Sequence, residues 1–256
     1  MRPALSVRKP KYPLSWQQLP CGDQLKSAIQ AQLNAVCRQW FGYHLVKLGA
    51  LSAELSLPEC AIKHQVGISR SANDACHLVA DAKALPLQER SVDAFLLCFE
   101  LDYSSDPHQV LREVDRVIMP DGHLAIVGFN PISVAGLARL LPLRRDSLLH
   151  DARFFTAMRI KDWMHLLGFE IIEERRLIHS ELLFDRPLHQ DSRWQRWLAK
   201  HCTMLGSVYI MIGKKREMPL SVVKPKWKPN TAFTPAGASW RASRAQLKSV
   251  VQSHCD

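Results

Sequence analysis

Hydrophobic positions follow two periods along the chain, one typical of helices and one typical of buried strands. Between residues 13 and 41, apolar side chains recur every three to four positions, after the capping candidate Asp23 and before Gly42. This spacing predicts an amphipathic helix whose buried face is formed by Leu25, Ile29, Leu33, Val36 and Trp40. Three more helices are predicted: Ala50–Leu57 with Ser52 as cap, Asp106-Pro107 through Ile118, and Ile160–Leu167 closed by Gly168.

Short apolar runs between these helices predict buried strands. The turn signal Pro120-Asp121-Gly122 separates one helix from the strand that follows it. Strands that alternate with helical patterns, roughly 20 to 35 residues apart, are typical of βαβ units, so the pattern predicts an α/β fold with a parallel sheet. The predicted strands are 43–49, 61–68, 77–80, 92–99, 123–129, 169–174 and 207–213.

The charge is distributed unevenly and helps to divide the chain. The net charge of +10 comes from a basic segment, 1–12 (+4), and a basic, proline-containing tail, 217–256 (+7 for 214–256). The body, 13–216, is predicted to form the folded domain, with a family-specific insertion, such as a lid, at 175–205. The tail has few aromatic residues and is predicted to be mostly disordered. The basic ends either contact RNA, anionic lipid or an acidic partner, or only confer solubility.

Cysteine usage and hydropathy bear on location and on metal binding. The seven cysteines are widely spaced and form no C-x-x-C motif, which favours free thiols in a reducing compartment and predicts no metal site. The first residues lack the apolar core of a signal peptide, and no apolar run reaches the length of a membrane span. The sequence therefore predicts a cytoplasmic protein without membrane insertion.

One block of sequence is more specific than the rest. It contains Ala80-Asp81-Ala82 followed by Leu85-Pro86-Leu87, then Ser91-Val92-Asp93, then 111–122, which reads LREVDRVIMPDG. This block resembles the type 11 group of class I S-adenosylmethionine-dependent methyltransferases. The resemblance extends to the family's late helix and strand at Phe154-Phe155-Thr156, Trp163 and Leu167-Gly168-Phe169. Two segments, Gly49–Glu54 and Gly128–Ser133, resemble the YafS-like branch of that group more closely. The resemblance covers about 13–215 and implies a Rossmann-like, doubly wound, mostly parallel seven-stranded sheet with helices on both faces.

The predicted strand ends place candidate site residues in one crevice, because ligands of doubly wound sheets bind at the carboxyl ends of strands. The resemblance implies that S-adenosyl-L-methionine is the cofactor, bound by Gly49, Ala50, Asp81, Ala82 and Phe99. Asp81 is the adenine-binding candidate, with a turn-capping role as the alternative. Glu100 and Asp102 follow the fourth strand and are the catalytic candidates, with a solvated loop as the alternative. For Arg112, Glu113 and Arg116 a structural role is predicted, including a Glu113–Arg116 ion pair.

The first loop departs from the family pattern. Lys47 stands in place of an acidic residue, and Leu51 and Ala53 stand in place of two of three glycines. Gly67-Ile68-Ser69 occupies the place where an acid usually holds the ribose. Two functions remain open: a methyltransferase acting on a small molecule, and a catalytically inactive binding or regulatory protein, RNA-associated through its basic ends. A monomer or weak homodimer is expected.

Overall fold

The computed structural model describes residues 10–133, 151–177 and 206–217. The described strands form one seven-stranded sheet in the order β3-β2-β1-β4-β5-β7-β6, in which β1 to β5 are parallel and β7 is antiparallel to both of its neighbours. The strands are β1 His44–Leu48, β2 His64–Ser69, β3 Leu78–Val79, β4 Val92–Cys98, β5 Ile118–Phe129, β6 Phe169–Leu177 and β7 Val208–Lys215. The α-helices are α1 Gly22–Cys37, α2 Ala50–Ala53, α3 Glu100–Tyr103, α4 Pro107–Val117 and α5 Ala157–Leu166, and a 3₁₀ turn spans Trp16–Gln18.

The central strand β4 is apolar on both sides because helices cover both faces of the sheet. Leu96 belongs to a core cluster that includes the buried face of α1, whereas Leu97 belongs to a second cluster with residues of α4 and α5. Neighbouring residues of a strand point to opposite faces. The predicted doubly wound α/β fold is confirmed.

The buried face of α1 is close to the predicted one, but both ends of the helix differ. The helix begins at Gly22, where the carbonyl of Trp16 approaches so closely that a side chain would collide with it, and Asp23 lies in the first turn. The helix ends at Cys37, whose carbonyl accepts a hydrogen bond from the Ala61 N–H at 3.3 Å. Asp23 as the cap and Gly42 as the helix stop were therefore wrong predictions.

The prediction for Ser52 was wrong for a similar non-local reason. Ser52 does not cap α2 but lies inside it, fully buried, and its Oγ accepts a hydrogen bond from the Cys98 N–H at 2.7 Å. The turn predicted at Pro120-Asp121-Gly122 lies within β5, which already begins at Ile118, and interrupts the pairing with β4 between the pairs Val92–Ile118 and Ala94–His123. Asp121 takes a left-handed conformation (φ 62°) within β5.

The predicted ion pair on α4 is confirmed and has a further function. Asp106 caps the helix by accepting the Gln109 N–H at 3.2 Å. Arg116 Nη2 lies 2.9 Å from Glu113 Oε2, and the same carboxylate oxygen accepts the Leu85 N–H at 3.1 Å. Arg116 also donates to the carbonyls of Leu85 and Leu87, so the pair fixes the loop that follows Asp81.

The strand β6 lies at one end of the sheet and carries charged side chains in succession. Arg175 pairs with Glu173, and Arg176 pairs with Glu174, each at 2.6 Å. The strand β3, at the other end, has two residues. In the described ranges, no helix has the length and apolar character needed to cross a membrane.

No disulfide links the cysteines that lie within the described residues. The predicted tail and most of the predicted insertion at 175–205 lie outside those residues, and the boundaries predicted for the domain stay predictions.

Candidate functional site

The carboxyl ends of four parallel strands bring the candidate residues to one edge of the sheet. The register pairs Leu48 of β1 with Ile68 of β2 and with Leu97 of β4. The residues that follow these strands therefore stand side by side, and Asp81 joins them after β3. This is the edge at which doubly wound sheets bind ligands.

Gly49 makes the turn after β1 in a conformation that favours glycine, with φ +99°. Its N–H donates to the Ile68 carbonyl at 2.7 Å, and its carbonyl accepts the Ala53 N–H at 3.0 Å. A side chain at this position would collide with the Tyr12 hydroxyl and the Glu100 carboxylate. Gly49 therefore allows other groups to approach the backbone closely, as a ligand-binding turn requires.

Asp81 is exposed at this edge, with a side-chain exposure of 57%. Its Oδ1 accepts the Lys83 N–H at 3.1 Å, which shapes the turn, and the neighbouring Ala82 is buried. The capping role and a ligand-binding role are compatible here, because the carboxylate also faces solvent. The ammonium of Lys83 donates to Ser105 Oγ at 2.6 Å and so ties this turn to the loop before α4.

Glu100 begins α3 and is almost completely buried, with a side-chain exposure of 2%. Burial raises the pKa of its carboxyl, while the Arg70 guanidinium and the Tyr12 hydroxyl act in the opposite direction. Arg70 Nη2 lies 3.4 Å from Glu100 Oε1, and Arg70 Nε lies 3.6 Å from Asp81 Oδ1. The guanidinium thus stands between two carboxylates that the sequence predicted as site residues.

Phe99, directly before Glu100, takes a left-handed conformation with φ 56°. Its ring stacks on Phe129 at 4.0 Å between centroids and contacts the Trp16 ring edge-on, and its N–H donates to the Val127 carbonyl at 2.8 Å. Such backbone strain in a non-glycine residue costs roughly 1–3 kcal/mol and is typical of functional sites. The packing holds the backbone so that Glu100 faces Gly49.

The carboxylate of Asp102 lies away from Glu100, although a single residue, Leu101, separates them in the chain. It is 1% exposed, its Oδ2 accepts the Phe129 N–H at 3.2 Å, and its carbonyl accepts the Arg153 N–H at 2.7 Å. These bonds join α3 to the end of β5. The structure therefore brings together Gly49, Asp81 and Glu100, and places the Asp102 carboxylate against β5 instead.

The segment before α1 forms a wall of the site that sequence reasoning missed. Tyr12 is half-buried, its hydroxyl is buried beside Glu100, and burial raises the pKa of this hydroxyl well above the usual value. Trp16 is fully buried and its Nε1–H donates to the Leu51 carbonyl at 2.9 Å. The available signal in the sequence was the presence of these two aromatic residues, four positions apart, before the first helix.

The comparisons with known proteins agree with this geometry. Residues 54–126 match the family model described as a methyltransferase domain. The chain is 36% identical over 230 residues, 90% of its length, to the uncharacterized protein YafS of Escherichia coli K12, of which it covers 92%. The chain belongs to the class I methyltransferase family, in the YafS branch.

Two further proteins show likeness to this chain over different lengths. The match to the ubiquinone/menaquinone biosynthesis C-methyltransferase UbiE of Acidiphilium cryptum is 40% identical over 57 residues, 22% of this chain and 23% of that protein. The crystal structure of a methyltransferase from Thermotoga maritima superposes with a TM-score of 0.53 over 73% of this chain and 89% of that chain, at 21% identity. The second likeness concerns the fold alone.

The structure explains the residue at the start of the first loop. Lys47 is buried, and its Nζ donates to the Leu55 carbonyl at 2.6 Å. Burial lowers the pKa of this ammonium. Lys47 therefore anchors the loop behind α2, while Leu51 and Ala53 are buried in the protein interior.

Part of the family's cofactor fits the residues present. The exposed carboxylate of Asp81 can accept hydrogen bonds from an adenine amino group, whereas the Tyr12 hydroxyl and the Glu100 carboxylate lie where a side chain at Gly49 would stand. Ser69, at the place where the resemblance implies a ribose-holding acid, is 3% exposed, and Arg70 follows it. Arg70 was not among the predicted site residues.

Proposed function

We propose that this protein is an S-adenosylmethionine-dependent methyltransferase that acts on a small molecule. The observation that carries the proposal is the meeting of Gly49, Asp81 and Glu100 at the carboxyl edge of neighbouring strands. Family membership supports methyl transfer as the reaction class.

In this proposal, the residues at the carboxyl edge of the sheet bind different parts of S-adenosylmethionine. Asp81 accepts hydrogen bonds from the adenine amino group, and the buried Ala82 shapes the turn around it. Gly49 and Ala50 present backbone close to the amino-acid end, and Phe99 holds the wall behind. Bound S-adenosylmethionine supplies an activated methyl group, so the protein mainly orients the acceptor and excludes water.

A general base is needed only for an acceptor that must lose a proton. The catalytic assignments of Glu100 and Asp102 stay predictions. The structure favours Glu100 of the two, because its carboxylate lies beside Gly49, whereas Asp102 is held by the backbone of β5.

The acceptor we propose is a small molecule rather than a nucleic acid. The type 11 resemblance supports this class, and the partial match to UbiE, named for quinone biosynthesis, is consistent with it. The basic excess lies at the two ends of the chain, away from the sheet edge in sequence. We further propose a cytoplasmic location, with no membrane insertion, and a monomer or weak homodimer.

Calorimetric titration with S-adenosylmethionine and S-adenosylhomocysteine tests the proposal. We expect micromolar binding that Asp81→Ala weakens about tenfold or more, the effect of losing a hydrogen bond to a charged group. Asp162→Ala is the matched control, since Asp162 is an exposed carboxylate on α5. This variant should bind like the wild type.

Absence of heat with both ligands, from protein shown to be folded, would contradict the proposal. It would favour the alternative, a catalytically inactive methyltransferase-fold protein that binds or regulates. An RNA-associated role through the tail would then appear as salt-sensitive RNA binding that is lost when 217–256 is deleted.

A further inference from the structure

The contact between Arg70 and Glu100 is loose for a buried carboxylate. A charge-assisted hydrogen bond between a guanidinium and a carboxylate has a typical length of about 2.7–2.9 Å. The distance here is 3.4 Å, and the second contact of Arg70, to Asp81, is 3.6 Å. Burying a carboxylate whose ion pair is this long is costly, even with the Tyr12 hydroxyl beside it, and such groups mark functional sites.

The residues around Arg70 and Glu100 indicate which part of S-adenosylmethionine this pair would bind. Glu100 lies against Gly49, the single glycine left in the loop where other family members have three. Glycines allow the backbone to approach a ligand. Leu51 and Ala53 are buried, so the loop offers fewer backbone contacts to a ligand than a loop with three glycines. Side chains can supply the missing contacts.

We propose that Arg70 and Glu100 form a clamp for the amino-acid end of S-adenosylmethionine. Glu100 pairs with the α-ammonium and Arg70 pairs with the α-carboxylate. An α-amino acid carries these two opposite charges on one carbon atom, so its spacing matches two opposite side-chain charges 3.4 Å apart. The proposal rests on the proposed function and assigns Glu100 to the cofactor rather than to the acceptor.

The different exposure of Glu100 and Arg70 is compatible with a change of partner for Arg70 when the cofactor binds. Glu100 is 2% exposed and is held by the start of α3, whereas Arg70 is 35% exposed on the loop after β2. Arg70 therefore has room to turn from Glu100 towards a ligand carboxylate. The Tyr12 hydroxyl, also beside Gly49, is a further partner of the Glu100 carboxylate.

Two ligands that differ in the amino-acid end test the clamp. S-adenosylhomocysteine carries that end, and 5′-methylthioadenosine lacks it. We expect Arg70→Ala to weaken calorimetric binding of S-adenosylhomocysteine by about 10- to 100-fold and to leave that of 5′-methylthioadenosine unchanged, since a charged hydrogen-bond partner is lost. Glu100→Gln should follow the same pattern, and Arg70→Lys should recover part of the affinity.

Arg38→Ala is the matched control, because it also removes one arginine that pairs with a glutamate, Glu59, at an exposed place. Its affinities for both ligands should equal those of the wild type. Unfolding midpoints confirm that each variant is folded.

Each other outcome overturns the clamp in a distinguishable way. Tighter binding by Arg70→Ala would mean that the guanidinium blocks the site. An unchanged affinity for S-adenosylhomocysteine would mean a surface ion pair without a ligand role. An equal loss for both ligands would place Arg70 at the adenosine. A wild type that binds neither ligand would remove the proposed function itself.

Discussion

At the scale of single residues, the buried carboxylate of Glu100 lowers the stability of the fold, although we propose that it is needed to bind the cofactor. Ionising the Glu100 carboxyl costs free energy in the folded protein, because burial raises its pKa more than Arg70 and Tyr12 lower it. Between the ordinary glutamate pKa of about 4.5 and the raised pKa of the folded protein, the folded protein holds a proton that the unfolded chain has lost. The free energy of unfolding therefore decreases as the pH rises through that range.

Glu100→Gln should remove this cost, since glutamine resembles the neutral form. We expect the variant to match the wild type near pH 4 and to become more stable towards neutral pH, by on the order of 1 kcal/mol, a typical size for one substitution. Denaturant titrations at several pH values measure the difference. The exposed Glu59→Gln serves as control and should show no such divergence. A constant difference across pH would contradict the expectation.

Gly49 is the second residue whose chemistry is testable alone. Gly49→Ala introduces backbone strain and a collision of the new methyl group with Tyr12 and Glu100. Gly168→Ala, at φ +83°, introduces the strain without a collision, because the atom nearest to the new methyl group would be 3.6 Å away. We expect Gly168→Ala to cost about 1 kcal/mol, and Gly49→Ala to cost more. Gly49→Ala should also abolish binding of S-adenosylhomocysteine. Equal unfolding costs would show that the space beside Gly49 is not tight.

At the scale of elements, α4 holds the loop after the adenine candidate. Arg116→Ala leaves the carbonyls of Leu85 and Leu87 without their donor and frees Glu113. We expect a loss of about 1–3 kcal/mol in the free energy of unfolding, with weaker nucleoside binding. Arg112→Ala, exposed on the same helix, should change either quantity little. Similar effects of the two substitutions would contradict this role for Arg116.

The elements also show what periodicity can and cannot predict. Spacing within α4 predicted the helix and its Glu113–Arg116 pair, because both depend on residues three or four apart. The ends of α1 and the role of Ser52 depended on distant groups, the Ala61 N–H and the Cys98 N–H, which no local pattern contains. For the same reason the sequence predicted that Gly49, Asp81 and Glu100 share one edge of the sheet, but it did not predict that Arg70 and Tyr12 lie beside them.

At the scale of the whole molecule, the alternation of strands and helices was sufficient to predict the fold. The prediction that helices cover both faces of the sheet can be tested at β4, because Leu96 and Leu97 pack into different core clusters on opposite faces. Leu96→Ala and Leu97→Ala should each cost about 2–5 kcal/mol of unfolding free energy, because both leave buried cavities. Ile172→Ala, at a half-exposed position of β6, should cost far less. A small effect at either leucine would contradict a sheet covered on both faces.

The charge pairs of β6 have a consequence beyond the single molecule. A strand at the end of a sheet offers unpaired peptide groups to which a strand of another chain can add, the first step of aggregation. Four successive charged side chains, Glu173 to Arg176, would have to lose water in such a contact. At the other end, β3 is too short to act as a template. Partly exposed ion pairs such as these add little to stability, but they oppose the addition of further copies at this end of the sheet.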